Sequence, residues 1–326
     1  LSQLFDRSAL VLKPLNERTH DLDLSVIRNL EPVPDRLIDD SIRAVARAVV
    51  RARKTGSSVI FMMGAHVLRS GVQRYLIDLM SSGHVTCVAM NGAGIIHDYE
   101  FALIGATTES VARYISEGQF GLWRETGRIN DIVSTAWRRD PGCGLGEAVG
   151  REIAGGGFPH ADVSVFAAGY RLGIPVTAHV GIGYDIIHEH PNFDGAATGA
   201  LSYNDFLRFA GVVSGLEGGV VMNFGSAIMA PEVYLKALSM ARNVAHRRGS
   251  TIRCFTTLVC DLHDLPDDFR SEPGRGSAAY YFRPWKTMLA RTVADGGTSH
   301  YVMGRHEATI PALWTVIHRY GEEGTE

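Results

Sequence analysis

The chain has 326 residues, 45% of them hydrophobic, with a formal net charge of -3 and a pI near 6.5. That length supplies one large core plus an arm, and so small a charge gives no electrostatic case for nucleic acid or an anionic membrane surface. No apolar run approaches the ~20 residues needed to cross a bilayer, no signal-peptide pattern opens the sequence, and four scattered cysteines (Cys87, Cys143, Cys254, Cys260) suit reduced thiols in a cytoplasmic setting.

Residues 1–40 are polar and punctuated by Pro14, Pro32 and Pro34. They read as an N-terminal arm able to pack on a neighbouring subunit, and residues 41–326 as one doubly wound domain. Ile38, Ile42, Val45, Ala46 and Val49 at helical spacing predict a helix over 37–53, closed by Lys54-Thr55-Gly56. Residues 58–63 and 85–90 are continuous apolar runs, which is how a strand buried on both faces of a parallel sheet reads. Each leads into a glycine-bearing loop, 64–71 and 91–98, with helices expected at 72–80 and from Tyr99. Ligands of such sheets gather beyond the carboxyl ends of the strands. There the chain places Gly64, Ala65, His66, Arg69, Ser70, Gly71, Asn91, Gly92, Ala93, Gly94, His97 and Asp98. Glycines admit close backbone approach, and a following helix N-terminus favours phosphate by about 0.3–1 kcal/mol. The alternative is that the glycines only make tight turns.

A helix is expected at 107–117, capped by Thr107 or Thr108, and a glycine-interrupted loop with Trp123 at 119–129. Helices follow at 130–139, 146–153 and 160–172. A third strand, 174–178, opens a loop holding His179, Gly181, Gly183, Tyr184, Asp185, His188 and His190. After a helix at 204–214, a fourth strand at 218–223 leads to Gly225-Ser226 and a helix at 231–247 with Pro231 in its first turn. The fifth strand, 251–260, includes Thr257, and the Asp-, Pro- and Gly-rich segment 261–276 reads as a mobile or partner-contacting loop. A helical segment at 280–292, a short strand around 300–303 and a helix at 310–320 close the chain. Strand and helix alternate throughout, which argues an α/β fold.

Lys286 stands beside Trp285 in Phe282-Arg283-Pro284-Trp285-Lys286-Thr287, where aromatic neighbours can desolvate the amine and prepare it for imine formation. The alternative is a lysine that lays its stem on the indole. His66, His97, His179, His188 and His190 fall after predicted strands near Asp98, Asp185 and Asp194. Their spacing matches no dedicated metal pattern, so no metal is expected and acid–base work is the preferred reading.

In the order of these motifs the chain resembles deoxyhypusine synthase and its homospermidine-synthase-like relatives. The family's Thr-Ser-Asn…Ser-Ser-Gly loop corresponds to residues 64–71, its Thr-Ala-Gly-Gly-Val-Glu-Glu-Asp loop to 91–98 and its Asp-Gly-Ser-x-Gly-Asp segment to 179–185. Its Gly-Gly-Gly loop corresponds to 224–226 and its Trp-Gly-Lys to Trp285-Lys286, one residue shorter. The resemblance spans about 57–314. It implies a Rossmann-like doubly wound parallel sheet with helices on both faces, NAD, and a homotetramer with sites between subunits. On that reading Lys286, His97 and His179 are catalytic; Arg69, Asp98, Asp185 and Trp285 meet the substrate; Gly64, Ala65, His66, Ser70, Gly71, Asn91, Gly92, Ala93, Gly225, Ser226 and Thr257 hold the cofactor. Where the family has paired glutamates for the ammonium groups of a polyamine, this chain has Ile96 and His97. An ammonium needs carboxylates to offset its desolvation, so a less cationic, even anionic, substrate is expected in place of spermidine. The leading expectation is an NAD-dependent transferase that oxidises an amine or alcohol and passes the fragment through a Lys286 imine. Two alternatives are a metal-assisted hydrolase or lyase built on the His/Asp loops, and a non-catalytic NAD-binding protein.

Overall fold

The computed structural model describes residues 3–323, and its centre is a six-stranded, wholly parallel sheet. Strands β1 (Val59–Met63), β2 (Cys87–Asn91), β3 (Val176–His179), β4 (Val220–Phe224), β5 (Thr256–Asp261) and β6 (Thr298–Met303) lie in the order 3-2-1-4-5-6. The first five are buried almost throughout. That burial explains why they read as continuous apolar runs.

Helices cover both faces: α1 (Asp40–Thr55), α2 (His66–Arg69), α3 (Gln73–Ser81), α4 (Gly92–Ile104), α5 (Val111–Ser116), α6 (Arg128–Arg139), α7 (Leu145–Gly155), α8 (Val165–Leu172), α9 (Gly195–Val213), α10 (Met229–Arg247) and α11 (His306–Glu323). Successive strand residues point to opposite faces. Phe61, Met63, Val88, Met90 and Phe224 therefore join the core under α1, α3, α4, α7, α8 and α11. Ile60, Met62, Cys87, Ala89 and Val259 join the other, under Phe209 of α9, Tyr234 of α10 and a π-helix, Trp285–Arg291. The fold class read from the sequence is the one observed. No helix among the described residues is long and apolar enough to cross a membrane.

Some boundaries differ for identifiable reasons. The expected loop 91–98 is helical: the Asn91 side chain accepts from the Gly94 N–H at 3.3 Å and starts α4 at once. Thr107 caps nothing, because with Ala106 it pairs against Leu22 and Asp23 in a short antiparallel ladder; Ser110 caps α5. Ser164 shortens the helix expected from 160. Asp194, accepting from the N–H groups of Ala196 and Ala197, starts α9 well before residue 204. The 280–292 segment contains the π-helix, pinned where Thr257 Oγ1 donates to the Met288 carbonyl (3.0 Å) and Ser299 Oγ to that of Leu289 (2.8 Å).

Edge strand β3 is finished by side chains. The Ala178 N–H donates to Asp205 Oδ2 (2.9 Å), Ser202 Oγ donates to the Ala178 carbonyl (2.9 Å), and the Val180 N–H donates to Ser202 Oγ (3.1 Å).

The described part of the arm runs along its own chain. Leu15 packs with Tyr114 and Trp123, and Arg18 inserts to pair with Glu100, both side chains 1% exposed. Further on, the Arg28 N–H donates to the Gly71 carbonyl at 2.8 Å. Gly71 has φ +73°, and a Cβ there would stand 1.8 Å from the Val26 carbonyl oxygen. Gly71→Ala is therefore expected to lower stability by more than about 1 kcal/mol and to speed protease cleavage within the arm. Unchanged urea midpoint and digestion pattern would show that the arm is not seated this way.

Candidate functional site

The order 3-2-1-4-5-6 reverses direction between β1 and β4, and the crevice at such a reversal is where open α/β sheets bind ligands. Here the two loops close on each other: the Gly64 N–H donates to the Phe224 carbonyl at 3.0 Å. A Cβ at Gly64 would stand 2.5 Å from the Gly225 oxygen, so only glycine permits this approach. Beyond it, the N–H groups of Ala65 and His66 donate to no group among the described residues. Ser226 is engaged internally, through Asn223 on its backbone and through its Oγ, which accepts from the Ala230 N–H at 3.1 Å. His306, first residue of α11, sits against Gly225 and Phe224.

A cavity of about 260 Å³ opens over the ends of β1, β2 and β3. Arg18, Arg69, Ala93, Ile96, His97, Glu100, Thr108, Glu109, Val111, Phe120, Tyr184, Asp185 and Ile186 line it. Thr108 is the one non-glycine residue with positive φ (68°) among those described. For a β-branched residue this costs of order 1–3 kcal/mol. The arm holds it there, through the Asp21 N–H on the Thr108 carbonyl (3.0 Å) and Leu22 paired with Thr107. Thr108 Oγ1 is buried without a hydrogen-bond partner among the described residues, and so is Arg69 Nε.

The charges in this cavity are unequal in how well they are matched. Glu100 takes two bonds from Arg18 (2.7 and 2.9 Å), one from Thr107 Oγ1 (2.7 Å) and one from Thr126 Oγ1 (2.6 Å). Burial alone would raise its carboxyl; Arg18 and the two hydroxyls hold it below the usual range. Because the Thr107 hydroxyl hydrogen goes to Glu100, His97 Nδ1, 2.9 Å from that oxygen, must donate. His97 Nε2 then carries the free lone pair, and burial keeps the ring neutral, its pKa pushed down to about 4. Asp185 is raised to about 6 by burial; its carboxylate lies over Gly92, where a Cβ would be 2.0 Å from Oδ2. Arg69 has no carboxylate partner; its Nη1 lies 3.2 Å from His66 Nε2.

The structure divides the predicted site residues between the two faces of the sheet. Ala93, Arg69, His97 and Asp185 meet at the cavity, with Gly64, Ala65 and His66 at the adjoining crest. Ser70 and Gly71 close α2 against the arm. Asp98, 1% exposed, faces inward and anchors α8 by accepting from Ser164 Oγ (2.5 Å) and the Val165 N–H (2.8 Å). His179 lies on the other face against Phe209, with burial pushing it down to about 3. Lys286 is on that face too, in the π-helix, its Nζ 3.7 Å from the centre of the Tyr280 ring and without an ion pair among the described residues. Trp285 Nε1 donates to the Ser271 carbonyl, and the Thr257 hydroxyl is spent on Met288.

Sequence reasoning missed Arg18, Glu100, Thr108 as a cavity residue, and Glu109. Only Glu100 left a signal, a lone charge within Tyr99-Glu100-Phe101-Ala102-Leu103. Among the described residues no group of three or more His, Cys, Asp or Glu is disposed to hold a metal.

No protein-family model and no curated protein matches the sequence. Solved structures do. Unliganded AgrE aligns over 90% of this chain and 34% of its own, with a TM-score of 0.53 and 15% identity. A conserved, presumed LOR/SDH protein from Methanococcus maripaludis S2 aligns over 89% and 72%, at 0.50 and 14%. The chain has a Rossmann-type α/β fold. A presumed deoxyhypusine synthase from Entamoeba histolytica covers 85% and 87% at a TM-score of 0.46 and 7% identity. This chain spans about a third of the AgrE chain.

Asp185 gives a test of the cavity's electrostatics. Its carboxyl is raised from the ordinary 3.8 to about 6, so the folded protein holds a proton that the unfolded chain has already released. Stability should therefore fall as pH rises from about 4 through 6. Asp185→Asn should exceed the parent at pH 7 by at most about 3 kcal/mol, reduced by the favourable N-terminus of α4, and match it below pH 4. Urea denaturation across pH 3.5–8 measures this; a pH-independent difference would contradict it.

Proposed function

We propose that the chain is an NAD-linked enzyme acting on a small anionic substrate held in the cavity over β1–β3. The observation that supports this reading is the pair of N–H groups on Ala65 and His66 that donate to no group among the described residues at the β1/β4 reversal, the place where open α/β sheets bind ligands. Gly64 lets the loop of Gly225 close beside these groups. The fit is to the pyrophosphate end: at the end of β2, where dinucleotide sites of this order place an acid for the ribose, this chain has Asn91, engaged in capping α4. When bound, NAD would supply a hydride acceptor for a C–H beside an amine or hydroxyl.

Around that chemistry the chain's own residues have separable tasks. Arg69 neutralises the substrate's anionic group. His97, neutral and with its Nε2 lone pair free, accepts a proton, and Asp185, titrating near 6, can give or take one close to neutral pH. Ile96, Val111, Phe120 and Ile186 give the cavity its apolar lining. Passing a fragment through a Lys286 imine calls for a second copy of the chain to deliver the amine, because within one chain Lys286 lies under the opposite face of the sheet. That is the form in which a homotetramer with shared sites enters the proposal.

Equilibrium dialysis should find one NAD per chain. Ala65 has φ -59°, which proline shares, so Ala65→Pro deletes one donor at little backbone cost and should weaken NAD about tenfold. Absence of NAD binding at millimolar concentration would end this reading. Borohydride reduction with NAD and candidate amines should label Lys286, and Lys286→Ala should abolish the label with NAD binding intact. Unlabelled Lys286 in the oligomer would remove the imine and leave the redox proposal standing.

A further inference from the structure

We infer that Arg69 and Thr108 form a clamp for the carboxylate of a small ligand whose remaining body is apolar. This rests on the reading of the cavity as the substrate compartment and names what that compartment selects.

Two independent features converge on the same 260 Å³ space. One is a guanidinium whose Nε is buried and unpaired, on an arginine that no carboxylate of the described chain neutralises. The other is the Thr108 hydroxyl, also buried and unpaired, on a β-branched residue held at φ 68°. Buried polar groups are ordinarily hydrogen-bonded, and backbone strain persists only where the surroundings enforce it. Here the enforcement is visible, since the arm fixes residues 107 and 108 from outside through Leu22 and Asp21. Thr108, so held, and Arg69 both line the cavity.

None of the acids lining the cavity forms an ion pair with Arg69 among the described residues. Glu100 is matched by Arg18. Glu109 accepts from Trp123 Nε1 (2.7 Å) and the Gly121 N–H (3.0 Å). Asp185 lies over the start of α4, with His188 Nε2 3.9 Å from its Oδ2. One cation and one hydroxyl are left to satisfy, and a carboxylate satisfies both at once, each bond charge-assisted. Ala93, Ile96, Val111 and Phe120 supply the apolar wall. The volume falls below the roughly 300–1,000 Å³ of sites for drug-sized ligands, which points to a short-chain acid.

Butyrate and butyramide, alike in shape and different in charge, are the probes, titrated against the full chain by saturation-transfer NMR without nucleotide. Butyrate should bind at least about tenfold more tightly. Arg69→Gln should erase the preference. Thr108→Gly should weaken butyrate about tenfold while raising the melting temperature, because glycine accepts the positive φ, and Thr108→Ser should keep the affinity. If Arg69→Gln does not fold, the two Thr108 variants decide. Equal binding of the two probes, or undiminished butyrate affinity in Thr108→Gly, overturns the clamp. Loss of the carboxylate preference with NAD binding intact removes the clamp alone; a carboxylate preference in a protein that binds no NAD removes the dinucleotide reading alone.

Discussion

The arrangement of the candidate site depends on one buried ion pair, Arg18 with Glu100. Two desolvated charges are favourable only when every lone pair and proton around them is matched, and here Arg18, Thr107 and Thr126 complete the shell of Glu100. Matching it has consequences along the chain. It draws the arm onto α4, commits the Thr107 hydroxyl to Glu100 and thereby fixes which nitrogen of His97 carries hydrogen. It also sets the neighbouring Thr108 in a conformation it would not adopt alone.

The sheet separates two sets of groups that the sequence seemed to unite. Above β1–β3 stand a neutral imidazole, a carboxyl near its titration point and an unpaired guanidinium, a combination suited to holding an anion and moving one proton. Beneath the other face, Lys286 rests on the Tyr280 ring within the π-helix. The alternation of side chains along a strand causes this separation: Thr177 and His179 fall on the π-helix side, Val176 and Ala178 on the side of α4.

Central strands were legible because a strand buried on both faces leaves no polar positions, and α1 because its apolar residues recur on one side. Glycine misled twice. Gly92 and Gly94 read as a loop, whereas they are small because the Asp185 carboxylate and the Met90 sulfur press on the first turn of α4. Gly195 and Gly199 hid the start of α9. The cavity was half legible: residues after strands could be placed from the strand ends, and Arg69, His97 and Asp185 do line it. Asp98 was misjudged because position along a helix decides whether a carboxyl faces a cavity or a neighbouring helix, and the helix itself had been taken for a loop. Arg18 lies 82 residues from its partner, and no local pattern encodes such a meeting.

The side chains that finish β3 bear on how copies of this chain can come together. An exposed edge strand invites another to extend the sheet, the first step towards runaway fibrous association. With Asp205 and Ser202 of α9 occupying the outward hydrogen-bonding groups of Ala178 and Val180, that route is shut at the β3 edge, leaving β6 as the other edge of the sheet. An assembly that uses the β3 side must then be built through side-chain surfaces, whose complementarity can be selective where a bare backbone would accept almost any sequence.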